Sequence, residues 1–229
     1  MKKKIFIACD VSSVKMAKKI IAQTQTNKLD IVYKFGFQFF YSKDGRKFIS
    51  KLKDKKIFLD LKLNDIPNTC ASAIKSLKDL NNILYLTVHV SGGLEMLKVI
   101  KKTAKKFNKK LNILGVTVLT SLTNTSIKKI GHTKSINHIV RKQASLAKLA
   151  GLDGIVCSGH EVKFLKKIYK NLKIVTPGIR IQNDKVSDQK RVMTPREAFK
   201  NGAYAIVMGR SITKGNIKKN INRLINSLQ

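Results

Sequence analysis

The chain has 229 residues, 43% of them hydrophobic, which is enough for one large domain with a full core. It carries 47 Lys and Arg against 13 Asp and Glu, a formal net charge of +34, and has no tryptophan and only three prolines, so no proline-rich linker divides it. No apolar run reaches the roughly 20 residues a membrane span needs, and Ile5 to Cys9 is too short for a secretory signal, so a cytoplasmic protein is expected.

In chain order, KIFIACD (4–10) reads as a first strand and 14–26 as an amphipathic helix. DIVYKFG (30–36) and KIFLDLK (56–62) follow as strands, then a helical pattern over 70–80. YLTVHV (85–90) precedes a helix over 94–106, and NILGVTVL (112–119) precedes one over 137–150. GIVCS (154–158), KIVTPGI (173–179) and AIVMGR (205–210) complete the strands, before a last helical pattern over 217–228. Strands alternating with helices imply parallel pairing and an α/β fold. Eight such units in this length suit one (β/α)8 barrel spanning 1–229, a fold of ~250 residues as a rule. A doubly wound open sheet is the alternative, disfavoured by the count of eight and by the lack of GxGxxG after the first strand.

These strands finish on Asp10, Lys34, Asp60 with Lys62, His89, Thr120, Ser158, Arg180 and Arg210. Barrel strands covered by helices should read as apolar throughout. The exception is the C-terminal rim, where barrel enzymes place their sites. In FLDLKLNDIPNT (58–69), alternation turns Ile57, Leu59 and Leu61 toward the helices and Phe58, Asp60 and Lys62 toward the barrel axis. Asp65 falls three residues later, where Asn64 and Pro67 mark a turn. A rim salt bridge, contributing ~0–1 kcal/mol when exposed, would explain the pair structurally. A lysine held charged between carboxylates can also stabilise a carbanion and then protonate it.

DLKLNDIPNT resembles the DxKxxDIxxT signature of the orotidine 5′-phosphate decarboxylase family. The resemblance runs through IACD, YKFG, VHVSGG, VTVLTS, TPGIR…DQKRVMTP and VMGRSI. It implies decarboxylation of orotidine 5′-monophosphate to UMP, the last step of de novo pyrimidine synthesis, with no metal and no organic cofactor. Carried over residue by residue, Lys62 would stabilise and protonate C6 of the pyrimidine. Asp60 would face the departing carboxylate and help hold Lys62. Asp65 would complete the charge network across a homodimer interface. Asp10 and Lys34 would bind the ribose side, Thr69 would lie near the ribose, and Thr120 would bind the pyrimidine. Ile181 and Arg46 stand where many members have proline.

The phosphate end also has a reading from the residues. GRSIT follows a strand and precedes a helix, so the N–H groups of Gly209 and Arg210 can meet an anion. Arg180 and Arg210 offer forked donors suited to phosphate. Gln189 lies on an aperiodic polar segment, 181–193, that could close over a ligand. The alternative is an ordinary loop with two surface arginines.

The remaining features read as structural. His89 is expected to be a hydrogen-bonded structural histidine beside Gly92 and Gly93, and His132, His138 and His160 lack metal-ligand spacing. Cys9, Cys70 and Cys157 are far apart with no CxxC, which argues against a disulfide or a metal site, and Cys9 and Cys157 sit in apolar strand-like runs as small buried hydrophobes would. Lysines are spread along the whole length, as a bias toward A/T-rich codons would leave them, so no specific nucleic-acid partner is expected. Two rivals stay open. Hexulose-phosphate synthases and keto-gulonate-phosphate decarboxylases share an Asp-x-Lys-x-x-Asp strand end but use Mg²⁺; the TPGIR arginine, Gln189 and the Lys34 context favour the nucleotide enzyme. A barrel that has lost catalysis and binds RNA would show salt-sensitive binding without turnover.

Overall fold

Strand formation follows the β-branched runs. The computed structural model describes residues 2–181 and 193–228. Its strands are β1 (Lys4–Ala8), β2 (Asp30–Gly36), β3 (Ile57–Leu63), β4 (Ile83–His89), β5 (Asn112–Val116), β6 (Gly154–Val156), β7 (Lys173–Thr176) and β8 (Ala205–Met208). All neighbours pair in parallel, and β8 returns to β1, closing the expected (β/α)8 barrel in sequence order.

Two apolar layers hold it. Side chains alternating inward from the strands, among them Phe6, Val32, Phe58, Tyr85, Leu114 and Val175, fill the barrel. Phe6 is fully buried and packs edge-on or tilted with its ring centroid 4.9 Å from those of both Phe58 and Tyr85, so an aromatic cluster forms the floor beneath the mouth. The opposite faces of the same strands pack against the helices. The helix Gly93–Phe107, for example, buries Met96, Leu97, Ile100 and Ala104 at helical spacing. Ser13 and Ser135 accept hydrogen bonds from Met16 N and His138 N, capping the helices Val14–Gln23 and Ile136–Leu149.

The expected strands overrun the observed ladders at their C-terminal ends, most clearly at 112–119 and 173–179. Val118 and Ile179 remain buried beyond the last residues of β5 and β7, so apolar character outlasts the ladder. Several short helices escaped the periodicity reading. Gly45–Lys51 and Pro195–Lys200 span too few turns to show a stripe. Gly159–Ile168 buries Glu161 beside Val162 and Leu165, which blurs its apolar face. Ser158 is the N-cap of this last helix and is buried. Arg46 donates to Ser76 O at 2.7 Å and pairs with Asp79 at 2.5 Å, tying its helix to the neighbouring one.

Candidate active site

A cavity of about 450 Å³ opens at the C-terminal end of the barrel. Ala8, Phe58, Val116, Val156 and Val207 line its apolar part, Phe58 belonging both to the aromatic floor and to the cavity wall. Asp10, Lys34, Asp60 and Lys62 line one side, and Thr120, Arg180, Gly209 and Arg210 also border it. The strand register accounts for this. Ala8 pairs with Lys34 and Gly36 with Asp60, so inward-facing residues of three adjacent strands end at the same height.

The four charged side chains form a continuous alternating series. Lys34 Nζ lies 3.0 Å from Asp10 Oδ1 and 3.3 Å from Asp60 Oδ2. Lys62 Nζ lies 2.9 Å from Asp60 Oδ1. Lys34 is 6% exposed, so its charge depends on these partners. Burial works against the Lys34 ammonium, but Asp60 and Asp10 outweigh it and raise its pKa above the ordinary lysine value. Burial likewise opposes ionisation of Asp60; Lys34, Lys62 and the hydrogen bond from Thr87 outweigh it and hold the carboxyl below the usual range. Both groups are therefore charged near neutral pH. Gly36 ends β2 beside the series, where a Cβ would make a tight 3.0 Å contact with Asp10 Oδ1.

The ladder between β3 and β4 breaks where the charges are. Leu59 pairs with Leu86 and Leu63 with Val88, so Asp60, Leu61 and Lys62 together oppose Thr87 alone. Lys62 has φ +42°, the left-handed region that side chains avoid, and is alone among described non-glycine residues in this. Its ammonium also sits 5.3 Å from the centroid of the half-exposed Phe37 ring. The sequence reading missed Thr87 and Phe37. Thr87 sits inside an ordinary β-branched run, and Phe37 is brought to Lys62 only by the turn after β2.

Other expected residues lie elsewhere. Asp65 and Thr69 are exposed and are not among the residues lining this cavity. Asp65 Oδ1 accepts from Ile66 N at 2.7 Å in the turn before the helix Pro67–Lys75. Gln189 and residues 182–192 of the 181–193 segment lie outside the described residues. The segment's two ends are tied together: Arg180 N donates to Met193 O at 3.0 Å, and Met193 N to Gly178 O at 3.2 Å. The Arg180 guanidinium is buried against the cavity wall and donates to Ile179 O. Arg210 is exposed at the first position of the helix Arg210–Thr213.

His89 departs from its expected hydrogen-bonded role. It ends β4 half-buried, with no side-chain hydrogen bond among the described residues, and burial together with Lys62 pushes its imidazole below the usual range. All three cysteines are buried free thiols. Among the described residues no helix is long and apolar enough to cross a membrane.

Comparison with known proteins places this geometry in context. The profile of the orotidine 5'-phosphate decarboxylase / HUMPS family matches residues 3–221. Orotidine 5'-phosphate decarboxylase of Buchnera aphidicola subsp. Acyrthosiphon pisum is 42% identical, covering 99% of this chain and 96% of that protein. The Coxiella burnetii protein of the same name is 37% identical, over 92% and 90% of the two chains. The crystal structure of orotidine 5'-phosphate decarboxylase from Lactobacillus acidophilus superposes with a TM-score of 0.85 at 31% identity, covering 100% of both chains. With near-complete coverage in sequence and in fold, the chain belongs to the orotidine 5'-phosphate decarboxylase / HUMPS family.

Proposed function

We propose that the protein decarboxylates orotidine 5′-monophosphate to UMP in pyrimidine biosynthesis, with its own fixed charges in place of a metal or organic cofactor. The observation that carries this reading is the alternating series Asp10, Lys34, Asp60, Lys62 at one wall of the mouth. The names of the relatives support it too.

In this reading the bond from C6 to the carboxylate carbon breaks, and its electron pair stays on C6 as CO₂ leaves. The Lys62 ammonium stabilises that pair as it forms and then gives C6 a proton; solvent reprotonates the amine. Asp60 faces the leaving carboxylate and, through its ion pair, holds Lys62 in place. These groups are already ordered and mutually neutralised, so little reorganisation accompanies charge development at C6. Asp10 and Lys34 take the ribose side and Thr120 the pyrimidine. Arg180, Gln189 and the Gly209–Arg210 turn take the phosphate, Thr69 lies near the ribose, and Asp65 is supplied by the second chain of a homodimer.

The test is the absorbance change as orotidine 5′-monophosphate is consumed, with and without EDTA. Turnover unaffected by EDTA is expected. Turnover that needs Mg²⁺, or activity only on a hexulose or gulonate phosphate, would move the chain to the other branch of its family.

The phosphate end gives a separate expectation. Arg210 acts at a distance from C6, so its binding energy serves the whole nucleotide. Arg210→Ala should lower kcat/KM by about 100-fold, the scale of two charge-assisted hydrogen bonds. The wild type acting on the phosphate-free nucleoside should be partly activated by added phosphite dianion. If Arg210→Ala discriminates nucleotide from nucleoside as the wild type does, the phosphate site is elsewhere.

A further inference from the structure

The residue opposite the break in the β3–β4 ladder is fully buried Thr87, and its hydroxyl is used twice. Its oxygen accepts from the backbone N–H of Lys62 at 2.9 Å, and its proton goes to Asp60 Oδ1, also at 2.9 Å. A hydroxyl has one proton to donate and can accept as well, so one side chain satisfies both contacts. Each contact is placed where the backbone needs it. The break leaves three residues of β3 opposite one of β4, so a regular ladder cannot supply a partner to every N–H. Lys62 also holds the disfavoured φ of +42°, which persists only where surrounding contacts enforce it.

We propose that Thr87 is a positioning residue for the decarboxylation: its hydroxyl pins the Lys62 backbone in its left-handed conformation and orients the Asp60 carboxylate, so the two charged ends meet substrate in fixed geometry. The proposal rests on the reaction assigned above. Thr87 itself does not line the cavity, so it acts through its two partners.

Valine has the shape of threonine without the hydroxyl. Thr87→Val should lower kcat by about 100-fold, the scale of a misplacement of about 1 Å at a reacting group, while KM changes less than threefold. Thr87→Ser keeps the hydroxyl and should recover kcat to within about fivefold of wild type. A general packing defect would not separate these variants in this way, because serine removes the methyl and valine keeps it. Amide hydrogen exchange of Lys62 supplies a readout independent of turnover: it should be at least about tenfold faster in Thr87→Val and close to wild type in Thr87→Ser. If valine proves too disruptive to fold, Thr87→Ala against Thr87→Ser makes the same comparison. Wild-type kcat in the variant lacking the hydroxyl, equal losses with and without it, or unchanged Lys62 exchange would each overturn the proposal. If the wild type does not turn over orotidine 5′-monophosphate at all, the assigned reaction fails, and the Lys62 exchange comparison still decides whether Thr87 holds the backbone.

Discussion

Lys62→Ala should lower kcat by at least ~10⁴-fold while leaving the binding of a nucleotide product such as UMP within about tenfold of wild type. The asymmetry follows from when the ammonium is used. In the proposed reaction the substrate binds through ribose and phosphate contacts that do not involve Lys62. In that mechanism charge at C6 would appear only as the bond to the carboxylate breaks, so the Lys62 contact would be strongest in the transition state and its loss should fall on kcat. The same ammonium would then donate the proton, and alanine would remove both services together. Asp60 would meanwhile lose its 2.9 Å partner and keep Lys34 and Thr87, so the mouth stays partly neutralised and the barrel should fold. Steady-state kinetics with UMP titration measures both quantities. A kcat within tenfold of wild type would remove Lys62 from the chemistry.

The second large effect concerns Asp65. Asp60 and Lys62 are built into their own barrel, whereas Asp65 is exposed in the turn past β3, where its carboxylate accepts from its neighbour Ile66 N. Large apolar side chains lie exposed nearby in sequence or contact: Ile66 is 67% exposed, and Phe37, beside the Lys62 ammonium, is 48% exposed. Such side chains fit a surface that another chain covers. In the proposed two-fold dimer, each site would combine Lys62 of one chain with Asp65 of the other. Lys62→Ala and Asp65→Ala should each be inactive alone. Unfolded and refolded together in equal amounts, they should regain roughly a quarter of wild-type activity. About half the dimers are then mixed, and each mixed dimer carries one site with both residues intact. If Asp65 serves its own chain, every site keeps one lesion. No recovery, with mixed dimers shown by native mass spectrometry, would exclude the shared site.

The architecture was legible in the sequence because it rests on local periodicity. Eight β-branched runs separated by amphipathic stretches already imply parallel pairing, and the polar residue closing almost every run marks one end of the barrel as different from the other. Asp60 and Lys62 could be placed side by side from alternation alone, and both line the cavity. Contacts between strands were beyond such reasoning. That Lys34 bridges Asp10 and Asp60 depends on the register of β1, β2 and β3, which no spacing within one strand encodes. The positive φ of Lys62, and the single threonine of β4 that faces three residues of β3, arise only when the two strands pair with a shift of register. Residue types along the chain thus determined which groups carry charge and which end of the barrel they reach. Packing across the closed sheet decided which of them touch, because parallel neighbours are joined through a crossover and their register is set by how the whole barrel closes.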